Sequence, residues 1–243
     1  MAKHHELYGL LGQYHVLKHG KIEQSVEIER NAFLQFIYEC NALEHNQLSR
    51  VEVENVVRQG IGNVTQDNHQ ELEVVGLYEA MKYIQQLVTE RIDLNEEIVK
   101  ELHSIFYFGA SEDFKGQYRR DYITIPHARN FPPVRHISYY MNKLFEEYKE
   151  MDAIDVIERV ALFHLKFENI HPFEDGNGQV GRLIINYQLM RAGYPMISIK
   201  PEDKKTYTKA FEQYNEELDS TPMVDLIAKA VKDQLKAWIK SLK

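Results

Sequence analysis

Apolar residues recur along most of this chain at the three-and-four spacing that lays one stripe on a helix. Phe33-Leu34, Phe36-Ile37 and Leu43 mark a first face. Val74-Val75, Leu77-Tyr78, Met81, Ile84 and Leu87-Val88 mark a longer one. Ile98, Leu102, Ile105 and Phe106 follow, with Asn95 ahead of Glu96-Glu97 as the expected N-cap. Ile137, Met141, Leu144-Phe145 and Tyr148 predict a further helix, and Ile154, Ile157, Val160-Ala161 and Phe163-His164 predict one that runs towards His171. The run from Leu183 to Met190 predicts the next; Tyr207, Phe211 and Tyr214 continue the pattern. Val224, Ile227, Val231, Leu235 and Ile239 close the chain as an amphipathic helix over 221–243. One stretch reads as strand, Tyr122-Ile123-Thr124-Ile125, bounded by Pro126 and preceded by the turn-prone Gly116. There is no repeat, low-complexity tract or long Pro/Gly/Ser linker. The pattern predicts an all-α fold, a helical bundle with one small β-hairpin, as a single domain over 1–243.

Composition narrows the function classes. The chain has 243 residues, 44% of them apolar, enough for one good-sized core. Its net charge is −8 and its pI about 5.8, which argues against a general nucleic-acid or membrane-surface binder. Cys40 is the single cysteine, which excludes a disulfide framework and fits a reducing compartment. No apolar run has the length of a membrane span, and Met1 to Leu7 lacks the apolar core of a signal peptide. The expectation is a cytoplasmic protein; an effector delivered into another cell would carry the same composition.

The chemistry concentrates in His171-Pro172-Phe173-Glu174-Asp175-Gly176-Asn177-Gly178-Gln179-Val180-Gly181-Arg182. A glycine loop that opens a helix aims backbone N–H groups and the positive dipole end at one spot, where a phosphate is the natural guest. His171 has the proton affinity of a general base near neutral pH. Asp175 offers the hard oxygen that Mg²⁺ prefers. Arg182 can add a planar fork of donors to phosphate oxygens. Each residue has a plainer alternative: a histidine connector, an Asp-Gly turn, an exposed helix arginine. Phe173 and Pro172 read as packing and rigidity, and Glu174 as solvated.

The same twelve residues resemble the signature of the Fic family (filamentation induced by cyclic AMP), His-Pro-Phe-x-Asp/Glu-Gly-Asn-Gly-Arg-x-x-Arg. They match at every fixed position except Gln179, where arginine is usual. The resemblance extends downstream through Leu189-Met190-Arg191-Ala192-Gly193-Tyr194-Pro195 and upstream through Gly116-Gln117-Tyr118-Arg119 to Phe131-Pro132-Pro133, roughly residues 30 to 230 in all. It implies a Fic-like helical bundle, with an N-terminal inhibitory region at about 30–60 and a core at about 95–217. That core includes a flap at 116–133 and the motif loop at 171–182.

The resemblance also implies roles. His171 is the catalytic base; Asp175 holds Mg²⁺; Gly176, Asn177, Gly178, Gln179 and Arg182 hold the phosphates of ATP. Tyr207 and Asn215 sit where family members contact the nucleotide, although Tyr207 also reads as a core aromatic. Ile123, Thr124 and Ile125 form the flap edge on which a target protein docks by strand addition. Leu43-Glu44-His45-Asn46-Gln47-Leu48-Ser49 resembles the segment that carries the inhibitory glutamate, with Cys40 at the usual Ser/Thr position and His45 at the usual Gly/Asn position. Glu44 is therefore the inhibitory residue, and Glu54 its rival.

The reading is a protein adenylyltransferase that moves AMP from Mg·ATP to a Ser, Thr or Tyr hydroxyl, braked by Glu44, with self-modification, a homodimer and removal of AMP left open. The alternative is a nucleotide-binding regulator of the same fold, with weak or no catalysis because Gln179 replaces arginine. A metal hydrolase built on His171 and Asp175 lacks a third protein ligand in the sequence. No nucleic-acid or membrane partner is expected.

Overall fold

Helical periodicity becomes ten α-helices in the computed structural model, which describes residues 5–65, 67–122 and 132–243. In chain order they are α1 His5–Gly20, α2 Ile22–Leu43, α3 Arg50–Gln59, α4 His69–Glu90 and α5 Glu96–Phe106. Then come α6 Ile137–Glu150, α7 Val156–Ile170, α8 Asn177–Arg191, α9 Lys204–Glu217 and α10 Thr221–Ser241. The described residues contain no strand. Of the expected hairpin, Gly116 to Tyr122 and Pro132-Pro133 are irregular, while Ile123, Thr124 and Ile125 lie outside the described residues.

The helix starts follow capping chemistry. Asn95 caps α5 as expected, its Oδ1 accepting from Ile98 N at 2.9 Å. Asn68 caps α4 and Asp155 caps α7 in the same way. Between 30 and 60 the chain forms the second half of α2, which ends at Leu43, and the whole of α3. After Leu43 the backbone turns left-handed at His45, with φ 68°, and the side chain of Asn46 then accepts from Leu48 N. Ser49 and Glu52 then form a reciprocal capping box that starts α3.

α8 is the axis of the molecule. Every residue from Gln179 to Leu189 is buried, including Arg182, Asn186 and Gln188. A helix enclosed on all sides needs partners on all sides. α7, α4, α5 and α2 supply them. Asn186 satisfies its buried amide by pairing with both backbone groups of Ile197, at 3.0 and 2.7 Å, which straps the 195–199 segment along the helix. α4 and α5 approach so closely that Gly76 lies directly on the Phe106 carbonyl. α10 covers α1, α9 and α7. Packing α7 antiparallel to α8 through the short 171–176 loop brings the motif to one end of the bundle.

Candidate active site

The motif loop is held from inside. α7 ends at His171, whose backbone is left-handed with φ 46°. α8 begins after Gly176, also left-handed with φ 78°. A side chain at Gly176 would collide with the Tyr107 ring, so glycine serves both the turn and the close approach. Asn177 is buried; its amide accepts from Phe173 N and donates to Phe173 O, both at 3.0 Å. Its side chain thus staples the loop and leaves the helix N-terminus to backbone N–H groups. Phe173 is fully buried beneath the loop.

His103 on α5, which the sequence reading missed, is the floor of the site. Its ring stacks on Phe173 with centroids 4.0 Å apart. Nδ1 accepts from Gly116 N at 2.9 Å, so the ring proton sits on Nε2 and is donated to the Asp175 carbonyl at 3.1 Å. Burial pushes its pKa down to about 4. One neutral ring therefore joins the motif loop to the base of the 116–133 segment. Arg119 adds a second tie, with Nε donating to the His171 carbonyl at 2.9 Å and Nη2 to the Pro132 carbonyl at 2.7 Å.

Asp175 is exposed, and its Oδ1 accepts from Gly176 N at 2.8 Å. No cluster of three His, Cys, Asp or Glu side chains among the described residues could by itself hold a metal ion. A lone carboxylate of this kind suits Mg²⁺ that arrives on a polyphosphate and keeps most of its waters.

Arg182 is the surprise in burial: only 3% of its side chain is exposed. Its Nη2 donates to Glu44 Oε1 at 2.7 Å, its Nε meets Cys40 Sγ at 3.1 Å, and Nη2 also reaches the Cys40 carbonyl at 3.3 Å. Glu44 caps the C-terminus of α2 and remains 39% exposed. A Cβ at Gly178 would stand 2.5 Å from Glu44 Oε1, so the carboxylate lies against the first turn of α8. Lys204 braces the same corner, with Nζ on the Leu43 carbonyl at 2.6 Å and 3.2 Å from His45 Nε2. Glu54 is elsewhere, paired with Arg50 at 3.0 Å along α3.

Beside this pair lies a cavity of about 180 Å³, lined by Glu44, Glu168, Arg182, Tyr207, Phe211 and Asn215 among others. Small-molecule sites usually enclose roughly 300–1,000 Å³. Larger grooves flank α2 but touch none of the motif residues. Tyr207 is buried, with its hydroxyl 2.6 Å from His164 Nε2 and its ring stacked on the same histidine. Gln179 is buried on α8, 6% exposed. The structure brings Glu44, Arg182, Tyr207 and Asn215 to one cavity. Glu168 on α7, which nothing in the sequence singles out, joins the cavity and lies against His171. Its proximity depends on how α7 ends, which no spacing rule specified.

Comparison with known proteins follows this geometry. Residues 93–189 match the model of the Fic/DOC family. A protein named "Protein adenylyltransferase Fic" from Drosophila melanogaster is 28% identical over 216 residues, covering 87% of this chain and 43% of the relative. One of the same name from Nematostella vectensis is 28% identical, covering 87% and 50%. The chain thus spans half or less of the length of these relatives. A Fic domain containing signaling protein from Bacteroides thetaiotaomicron superposes with a TM-score of 0.86 at 25% identity, covering 97% of this chain and 96% of that one. Fic-1 (residues 134–508) from C. elegans shares the fold, with a TM-score of 0.79 at 22% identity, covering 96% and 72%.

Proposed function

This chain belongs to the Fic family, and we propose that it transfers AMP from Mg·ATP to a Ser, Thr or Tyr hydroxyl of a protein. What carries this reading is the convergence at the α8 N-terminus of His171, the Gly176–Gly178 turn and the buried Arg182, beside the cavity that Tyr207 and Asn215 line. The names of the sequence relatives support it.

In this mechanism the triphosphate lies across the free N–H groups of the first turn of α8, whose dipole favours negative charge. Gly178 leaves the backbone open to it; Asn177 holds the loop rigid. Asp175 would hold the Mg²⁺ that accompanies ATP, which would neutralise phosphate charge, and Arg182 forks the phosphate tail. His171 takes the proton of the acceptor hydroxyl as its oxygen attacks the α-phosphorus. The new P–O bond forms as the bond to the β-phosphate bridge breaks, and pyrophosphate leaves. The target segment docks along the 116–133 flap.

Glu44 is the brake. It occupies the guanidinium that the phosphate tail needs, and its carboxylate lies over Gly178, where phosphate would meet the helix. A carboxylate and a polyphosphate compete for the same donors. The small cavity fits this braked state.

Gln179 favours a second reading, a nucleotide-binding regulator with little catalysis. It is neutral where a cation is usual, and so contributes no charge-assisted bond. Incubation of the Glu44→Gly variant with ATP labelled at the α- or the γ-phosphate, with lysate present, separates the two. Protein label from the α-position alone is the result for AMP transfer. Saturable ATP binding with no protein label is the result for the regulator.

A further inference from the structure

Glu168 is not used by the mechanism above, yet it touches its base. It lies three residues before His171 on α7, and its side chain is only 14% exposed. The left-handed backbone of His171 turns the chain sharply at the helix end. The imidazole consequently folds back over the last turn, and Nδ1 comes to 3.6 Å from Glu168 Oε2. Neither the buried Nδ1 of His171 nor the buried Oε1 of Glu168 has a hydrogen-bond partner among the described residues, and Glu168 is the carboxylate beside that nitrogen.

The surroundings are built around this carboxylate. A Cβ at Gly181 on α8 would stand 2.9 Å from Glu168 Oε1 and 2.7 Å from His164 Cε1, so only glycine admits both side chains at that crossing. His164, one turn before Glu168, is fully enclosed; burial pushes its pKa down to about 4, and its Nε2 is engaged by the Tyr207 hydroxyl. Burial works against ionisation of Glu168, but the contact with His171 and the fields of His164, His171 and Arg182 hold its carboxyl below the ordinary value.

We propose that Glu168 is the positioning residue of the His171 base: it accepts the Nδ1 proton, fixes the ring, and leaves the Nε2 lone pair for the acceptor hydroxyl. The proposal rests on the transfer reading given above. Protons balance as follows. Nε2 receives the hydroxyl proton, the ring becomes an imidazolium, and Glu168 remains an ionised carboxylate that stabilises it. An ion pair that only tied off the end of α7 would change stability and nothing else.

The test reads the ring directly. Nitrogen NMR of the wild-type protein is expected to place the proton of neutral His171 on Nδ1. In Glu168→Leu it moves to Nε2, and in Glu168→Gln the two forms mix. In a Glu44→Gly background, Glu168→Leu lowers kcat on the order of 10²-fold while KM for ATP stays within about twofold, with Glu168→Gln in between. A wild-type ring protonated on Nε2 overturns the proposal, even if Glu168→Leu does not fold. So does a folded Glu168→Leu protein with unchanged tautomer and kcat. If His171→Ala retains transfer, the base assignment fails instead, and the tautomer measurement still decides whether Glu168 orients the ring.

Discussion

Arg182 Nη2 and Glu44 Oε1 meet at 2.7 Å across 138 residues of sequence. The guanidinium is buried and the carboxylate half-open, so the pair is asymmetric: removing Glu44 frees a cation that water cannot easily reach. Glu44→Gly is expected to raise auto-labelling from α-labelled ATP by at least about tenfold, corresponding to about 1.4 kcal/mol of released competition. Glu54→Gly, whose partner is Arg50 on α3, should leave labelling within about twofold. Arg182→Ala in the Glu44→Gly background should cancel the gain. Activation by Glu54→Gly and not by Glu44→Gly would refute the assignment of the brake.

Gln179→Arg tests the one departure from the motif. A cation at this position adds one charge-assisted hydrogen bond to phosphate, about 1.5–3 kcal/mol if well formed. Tighter Mg·ATP binding or faster transfer in the Glu44→Gly background is the expected outcome, measured by calorimetry and initial rates. No change in either means that residue 179 does not serve the phosphates.

Acid should weaken the fold through His103 and His164. Both are buried and neutral, with pKa values pushed down from 6.5 to about 4. Above pH 6.5 neither state of the chain binds the proton, and stability is unaffected. Between 6.5 and 4 the unfolded chain binds it and the folded one does not. Stability therefore falls with falling pH, with a slope on the order of 1.4 kcal/mol per pH unit for each ring. His103→Asn keeps an acceptor for Gly116 N but lacks the titration. Urea midpoints should show it less stable than wild type at pH 7, with a shallower loss towards pH 4. An equally steep loss would mean that His103 is not held neutral.

Gly76→Ala should destabilise by roughly 1–3 kcal/mol, because the new methyl meets the Phe106 backbone where α4 crosses α5. Chemical unfolding measures this. A neutral result would place the crossing further apart than described.

Legibility in the sequence followed range. The helix stripes, the Asn95 cap and the glycine loop all rest on neighbours within a few residues, and the sequence carries them openly. The resemblance singled out Glu44 and paired it with Arg182, and the two meet at 2.7 Å; the inhibitory role itself is a proposal. The sequence reading omits α1, although Leu7, Leu10, Leu11, Tyr14 and Leu17 recur at helical spacing and pack on the core. His103 was invisible as a site residue: it acts 72 residues from Asp175, through ring nitrogens that any helical histidine has. Glu168 needed the left-handed backbone of His171, a conformation uncommon for any residue but glycine.

The central claim is that His171 drives AMP transfer at a site that Glu44 holds shut. The most direct measurement is label transferred to protein from α-phosphate-labelled ATP by wild type, Glu44→Gly, and Glu44→Gly with His171→Ala. The account predicts little label from wild type, strong label from Glu44→Gly, and none from the double variant, although that variant still binds ATP. Equal label from the single and double variants, or none from Glu44→Gly with ATP bound, would contradict it.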